Sequence, residues 1–261
     1  MTPIVVLLSG VLGLAIGSFL NVVIWRVPRG ESVVSPPSAC PNCGHRIRSR
    51  DNVPVLGWLL LRGRCRDCAA PISARYPLVE AGTGVAFALV AAWVGASWLL
   101  PALLYLAAVS IALALIDIDV RRLPNAIVYP SIPVAFVLLA IPALVESDPG
   151  RLLRVLGGGL ALFGFYLVAR LAYPRGMGLG DVKLSGLLGM YLGWFGWPMV
   201  LVGGFLGFLL GGIFGMVFLA SGRKELGSRI PFGPYMLAGA WIAIVAGQPL
   251  WAAYLGLFGL A

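Results

Sequence analysis

The sequence predicts an all-α polytopic membrane protein of about eight transmembrane helices, interrupted once by a small polar insert. Three observations carry this reading. First, 60% of the 261 residues are hydrophobic, only 11% are charged, and the mean hydropathy is +0.95. A water-soluble globule of this length has to cover itself with more polar groups than that. Second, the apolar residues gather into runs near 20 residues long with few charges, the length that crosses a hydrocarbon core of roughly 30 Å. Third, Lys and Arg collect in the short segments between those runs, as a topology signal does. The same placement argues against nucleic acid as the reason for the net charge of +9, because no basic face or stripe is built.

Taken in order, the first span covers about residues 3–25. No basic residue precedes it, Arg26 and Arg29 follow it, and no small-residue cleavage site is evident. It therefore reads as a retained helix with its N-terminus outside, not as a removed signal peptide. Residues 26–76 change character: they hold nine of the nineteen basic residues and all four cysteines, a cytoplasmic insert by the positive-inside rule. Further spans are expected at about 77–94, 97–118, 124–145, 152–173, 182–195, 198–220 and 231–260. The sixth of the eight is short and Gly-rich, and the last is broken at Gly247-Gln248-Pro249. The domains are thus a first helix at 1–25, the insert at 26–76, and a core of about seven helices at 77–261. Alternating orientation puts every Lys and Arg except Arg151 and Arg154 inside, and brings Asp117, Asp119 and Asp181 to cytoplasmic helix ends. Gly203, Gly207, Gly211 and Gly215 recur every four residues, which reads as a tight helix-packing face without chemistry.

In the insert, Cys40 and Cys43 form one C-x2-C pair and Cys65 and Cys68 another, with 21 residues between them, just beyond the usual zinc-ribbon range. Two such knuckles supply four thiolates for a tetrahedral Zn2+. Disulfides are disfavoured on the reducing side of the membrane, and a redox dithiol, the other alternative, matches two C-x2-C pairs less well than a single reactive one. With four protein ligands the metal has no open position, so it would fold the insert and not catalyse. His45 is the only histidine. It reads as a group beside the metal site, and its isolation argues against a Ser-His triad.

The acids in or near the apolar runs are Glu80, Asp117, Asp119 and Asp181. Ionisable groups at membrane depth are costly and point to function, though each has a plainer reading. Glu80 could pair with Arg75, Asp119 with Arg121 or Arg122, and Asp181 could cap its helix as N-cap. Two carboxylates from separate helices can also share a proton, as in aspartic proteases. The ionised one then takes a proton from water while the protonated one polarises a peptide carbonyl. Glycines ahead of Asp181 would let backbone and substrate approach it closely.

At this point the chain resembles the type IV prepilin leader peptidases, membrane aspartic proteases of the GxGD class. "GSFLNVVIWRVPRG" at 17–30 resembles the family's N-terminal signature, and the double C-x2-C insert follows in the family's position. "SARYPLVE" at 73–80 resembles its start of the second span. "IDIDVRRLPN" at 116–125 resembles its first catalytic motif, "GMGLGDVKL" at 176–184 carries the GxGD, and "IPFGPYMLAG" at 230–239 resembles its last-span signature. The resemblance implies Asp117 and Asp181 as the catalytic pair, with Asp119 as the second candidate for the first role. Asp117 has the seven-residue spacing to Pro124. The resemblance also implies prepilin or pseudopilin substrates of type IV pili or type II secretion, cleaved at the cytoplasmic face of the bacterial inner membrane. It further implies N-methylation of the new N-terminus with S-adenosylmethionine, an activity associated with the Cys-bearing insert. A different class remains as the alternative: a transporter or ion pathway with intramembrane Asp and a zinc-ribbon docking domain, which predicts acids near mid-bilayer.

Overall fold

The computed structural model describes residues 2–174, 176–220 and 231–259. Arg175, the basic cluster Arg223, Lys224 and Arg229, and Ile230 lie outside the described residues. Those described are mostly helical, without a strand; only two isolated bridges, Ala39 with Arg46 and Arg64 with Pro71, occur among them. The helices are α1 (Thr2–Arg26), α2 (Leu56–Leu60), α3 (Arg75–Val94), α4 (Leu100–Val120), α5 (Asn125–Val145), α6 (Pro149–Ala172), α7 (Leu179–Phe195), α8 (Trp197–Ala220) and α9 (Gly233–Leu257). Seven of them are long and apolar enough to cross a membrane, namely α1, α3, α4, α5, α6, α8 and α9. The remaining expected span, the sixth, is α7, which has 17 residues.

The chain packs as two units, the first running through Ala112 and the second from Leu113. In the first, α1 and α3 lie antiparallel with the insert between them in sequence. Gly10, Gly13 and Gly17 share one face of α1 and bring the two backbones together. A Cβ on Gly13 would stand 2.7 Å from the Thr83 carbonyl oxygen, and one on Gly17 2.7 Å from Glu80 Cα. Without a hydrophobic drive between helices in lipid, such close approach is what lets dispersion contacts hold a pair together. Asn21 Nδ2 donates to the Tyr76 carbonyl at 3.1 Å and closes the end of the pair nearest the insert.

In the second unit α7 is the centre. From Val182 to Trp194 its residues are buried except Lys183 and Gly186, because α5, α6, α8 and α9 all pack on it. Against α6 the contact is backbone on backbone: a Cβ on Gly189 would lie 2.3 Å from the Gly158 carbonyl oxygen, and one on Gly158 2.5 Å from that of Gly189. The expected glycine face of α8 packs as foreseen. A Cβ on Gly203 would meet Leu192 at 2.7 Å, one on Gly207 would meet Met236 Cα at 3.3 Å, and one on Gly211 would meet Phe232 at 2.7 Å. At the far end Asp148 caps α6, accepting from the Arg151 N–H at 3.1 Å, and pairs with Arg151 and Arg154. Glu146 also pairs with Arg151, so two acids balance the two basic residues at this end.

The expected break in the last span is absent. Helix α9 runs unbroken from Gly233 to Leu257 with Pro249 inside it. Proline removes one helical hydrogen bond without dictating a break when neighbouring helices hold the segment. Gly247, two residues earlier, allows that packing, since a Cβ there would fall 2.3 Å from Met199 Sδ.

Candidate active site

Asp117 and Asp181 are both buried, 5% and 8% exposed, whereas Asp119 is exposed on the last turn of α4. Each buried carboxylate is held at the start of a helix. Asp117 Oδ2 accepts the N–H of Gly233, the first residue of α9, at 3.0 Å. Asp181 Oδ2 accepts the N–H of Gly178, the residue capping α7, at 2.9 Å. Asp181 is therefore not the N-cap but the third residue of its helix, reaching back to satisfy a donor that would otherwise be orphaned. Helix N-termini favour negative charge and orient it, so both carboxylates are aimed by backbone rather than by a basic side chain.

Leu123 links the two. A Cβ on Gly180 would stand 2.9 Å from Leu123 Cβ, and one on Gly233 would stand 3.2 Å from Leu123 Cδ2 and 2.9 Å from Asp117 Oδ2. Asp181 lies within the electrostatic reach of Asp117. Only one oxygen of each carboxylate takes an N–H from another residue among those described. Neither free oxygen is sealed in, because the one buried unpartnered side-chain polar atom among the described residues is Arg170 Nε. The arrangement presents two carboxylate oxygens to whatever enters.

The glycines around Asp181 have a different role from the expected one. Gly178 has an ordinary extended backbone, φ −78° and ψ 152°, so it is not there for a conformation closed to other residues. A Cβ on it would crowd Asp181 Oδ2 at 3.0 Å. The space it leaves belongs to the carboxylate itself, and that at Gly180 to Leu123.

The four cysteines gather in the first unit. Their sulfurs all lie within 4.8 Å of one another, with Cys40 and Cys68 3.8 Å apart and Cys43 and Cys65 4.0 Å apart. All four are free thiols. A tetrahedral ion about 2.3 Å from each sulfur sets sulfur–sulfur separations of about 3.8 Å, so the cluster fits a metal. The two knuckles repeat each other. Cys40 N–H donates to the His45 carbonyl and Gly44 N–H to Cys40; Cys65 N–H donates to the Ala70 carbonyl and Ala69 N–H to Cys65. The N–H of Ala70, helped by the Asn42 amide, lowers the Cys68 thiol to about 6, while burial and the neighbouring sulfurs push the Cys43 thiol up to about 12, as expected of four thiols that titrate together. His45 is exposed and holds the turn through its backbone. Asp51 and Arg66 form a two-pronged ion pair at 2.6 and 2.8 Å, with the guanidinium holding the Asp51 carboxyl below its ordinary value. Arg48 pairs with Asp67 at 2.9 Å, and the Trp58 indole donates to the Ile72 carbonyl at 3.0 Å.

The repeat is imperfect at one place. Gly44 sits at φ +72° and its counterpart Ala69 at φ +56°, a left-handed conformation that costs a residue with a Cβ roughly 1–2 kcal/mol. Ala69→Gly is expected to tighten the metal site and Gly44→Ala to loosen it, each by about 1 kcal/mol. The check is the chelator concentration needed to strip the metal, which should rise several-fold for the first variant and fall for the second.

The N-terminal domain of bacterial A24 peptidases matches residues 11–94, and the type IV leader peptidase family matches residues 104–216. The chain belongs to the type IV leader peptidase family. A protein of Stutzerimonas stutzeri is 36% identical over 96% of this chain and 93% of its own length. One of Pseudomonas putida is 38% identical over 97% and 94%, and one of Neisseria gonorrhoeae 35% identical over 97% and 94%. Each is named prepilin leader peptidase/N-methyltransferase. No solved structure matches the chain.

Several parts of this family member's site were not foreseen. The Gly233 N–H reaches Asp117 across 116 residues. Its only local signal was a glycine and proline opening a helix. Leu123 falls in the expected loop between the third and fourth spans. Lys183, expected only as a topology charge, donates to Asn125 Oδ1 at 3.0 Å and lies over the Tyr129 ring at 4.7 Å, tying the first turn of α7 to α5. Tyr166 of α6 is 1% exposed, lies within reach of the Asp181 charge, and stacks in a cluster with Phe208 and Phe232.

Proposed function

We propose that this protein cleaves the basic leader from prepilins or pseudopilins in the bacterial inner membrane, with Asp117 and Asp181 as the catalytic pair, and N-methylates the new N-terminus. The single observation that carries the first part is the pair of buried carboxylates, each aimed by one helix N-terminus and open at its other oxygen. Asp119, exposed at the helix end, lacks that setting. Between like carboxylates one proton is shared. The ionised partner draws a proton from a water as its oxygen attacks the scissile carbonyl, and the protonated partner donates to the carbonyl oxygen. Collapse of the tetrahedral adduct returns a proton to the leaving amine. The acids stand at helix ends, two to three residues from the termini of α4 and α7. That is where a reaction at the cytoplasmic membrane face needs them and not where a mid-bilayer ion pathway would. The relatives' name supports both activities, and the transporter alternative has no support.

The Cys40, Cys43, Cys65 and Cys68 site is proposed to hold a structural Zn2+. S-adenosylmethionine is the proposed methyl donor, which supplies an electrophilic methyl group to the freed amine. Incubating purified protein with a prepilin, with and without S-adenosylmethionine, and weighing the product tests both activities. Loss of the leader mass together with a donor-dependent gain of one methyl is expected. An intact prepilin overturns the peptidase reading, and a cleaved but unmethylated product overturns the second activity.

The glycine geometry gives a further prediction. Gly233→Ala puts a methyl against Asp117 Oδ2 and displaces that carboxylate by a few tenths of an ångström. Gly178→Ala does the same to Asp181. Misplacement on the scale of 1 Å costs about 100-fold. Each variant should therefore lose about 10- to 100-fold in cleavage rate while inserting normally, measured as initial rates on one prepilin.

A further inference from the structure

We infer that Glu80 is the binding site for the α-ammonium group of the cleaved product and takes the proton that must leave before methyl transfer. The inference rests on the methylation reading above and gives it a residue. Glu80 lies on α3 about a turn and a half from its start and is buried against α1, with Gly17 stripped of a side chain to admit it. Its Oε2 accepts the backbone N–H of Val55 at 2.7 Å, so the pairing with Arg75 anticipated from sequence is not the one that holds it. Among the described residues no cation lies on it: the neighbouring polar side chains are neutral and engaged with backbone, Thr83 with the Val79 carbonyl and Asn21 with that of Tyr76. Its second oxygen takes no hydrogen bond from those residues and is not sealed from solvent.

A backbone N–H needs no charged acceptor, and a carboxylate in an apolar helix pair is costly unless a positive charge meets it. The donor is itself held at a cost. Val55 is β-branched, yet sits at φ +62° and ψ −51°, with the Leu56 N–H donating to the Pro54 carbonyl at 2.6 Å. That is the rare positive-φ γ-turn, a strained conformation of the kind that clusters where a ligand is positioned. The turn pins Oε2 and leaves Oε1 in a fixed direction. A compact, positively charged donor fits that oxygen, and the cleavage reaction makes one: a new α-amine, which is an ammonium at neutral pH. An ammonium cannot attack. The proton moves from R–NH3+ to the Glu80 carboxylate. The freed lone pair then forms the N–CH3 bond as the methyl–sulfur bond of the sulfonium donor breaks with its electron pair going to sulfur. The products are a methylated ammonium and a neutral thioether, with the proton on Glu80 released to water.

Glu80→Gln separates this from a purely structural latch, because glutamine keeps an acceptor for the Val55 N–H and removes only the charge. The probe is a synthetic apolar peptide of about twenty residues with a free α-amino group, alongside its N-acetylated twin. Binding of each is measured to the purified wild-type protein and the variant. The expected result is that the free-amine peptide binds wild type at least 10-fold tighter than Glu80→Gln, while the acetylated peptide binds both alike. Bound metal per chain, measured on both proteins, reports that the insert is still folded. Equal binding of the free-amine peptide to both proteins, with metal retained, overturns the inference whether or not wild type methylates. A 10-fold loss in a protein that transfers no methyl upholds the amine site and overturns the methylation reading instead. If Glu80→Gln loses its metal, the docking contact needs the charge, and the latch role replaces the one inferred here.

Discussion

Asp117→Asn and Asp181→Asn should each lower leader cleavage by about three orders of magnitude or more, while Asp119→Asn stays within a few-fold of wild type. The two carboxylates act as one device. One must be ionised to accept a proton from water and the other protonated to give one, so an amide at either place removes an essential half of the cycle. Groups that act as a unit are not additive. The double variant should therefore be no worse than either single one. Asparagine suits the test because its amide oxygen still accepts from Gly233 or Gly178 at the helix start. The N-terminal contacts that order α9 and α7 are then kept, and loss of activity cannot be assigned to loss of structure. Asp119 is exposed and is held by neither helix start, so an amide there leaves both reacting carboxylates as they are. The measurement is conversion of a purified prepilin by reconstituted protein, followed by product mass. A slow Asp119→Asn with an active Asp117→Asn would reverse the assignment of the pair's first member.

What the residues reveal on their own depends on the distance over which their signal acts. The long helices follow from runs of apolar residues, and their observed bounds fall within about three residues of the expected ones, because length and hydropathy are local properties. The two cysteine knuckles were legible for the same reason: each is a four-residue turn with its sulfurs fixed by spacing. Asp181 stood out through the glycines beside it, yet their purpose did not: Gly178 leaves room for the carboxylate itself, and Gly180 for Leu123, more than fifty residues away. The Val55 donor was hidden altogether, and Gly233 showed only as the opening of a helix, not as a donor. Both are backbone N–H groups, and a backbone group leaves no trace in composition. The break expected at Pro249 shows the converse error: Pro249 is exposed, but in an apolar setting without water the backbone keeps its helical hydrogen bonds on either side of a proline, and Gly247 packed on Met199 holds the turn before it. The close approach of α1 and α3 was readable in principle from Gly10, Gly13 and Gly17, whose spacing puts them on one face. It was obscured because 35 glycines are spread through the chain.

Removing the metal should unfold the insert and abolish methylation while leaving cleavage within a few-fold of wild type. The insert has little else to hold it. Val34 is 86% exposed, Leu60 79% and Leu56 56%, so its larger apolar side chains face outward instead of forming a core, and its cysteines are not joined as disulfides. A segment of this size without a core needs a staple. Structural zinc in comparable small sites supplies an apparent 10–16 kcal/mol of folding free energy, far above what the exposed Arg48–Asp67 pair can offer. Loss of the four-sulfur node should free the Val55 turn from Glu80, because the remaining ties on that segment, Asp51 with Arg66 and Trp58 with the Ile72 carbonyl, are an ion pair and a single hydrogen bond in a part of the chain without a core. The carboxylate pair should be spared, since Asp117, Asp181, Gly178, Gly233 and Leu123 all belong to the second unit. Limited proteolysis before and after chelation, with cleavage and methylation assayed on the same samples, makes the comparison, and Cys65→Ser serves as its genetic counterpart. New cuts confined to residues 30–75, with cleavage preserved and methylation gone, are expected. An insert that stays protease-resistant after the metal is stripped would mean that the Asp51–Arg66 and Trp58–Ile72 ties alone are enough to fold it, and the metal would then have to be given some other role.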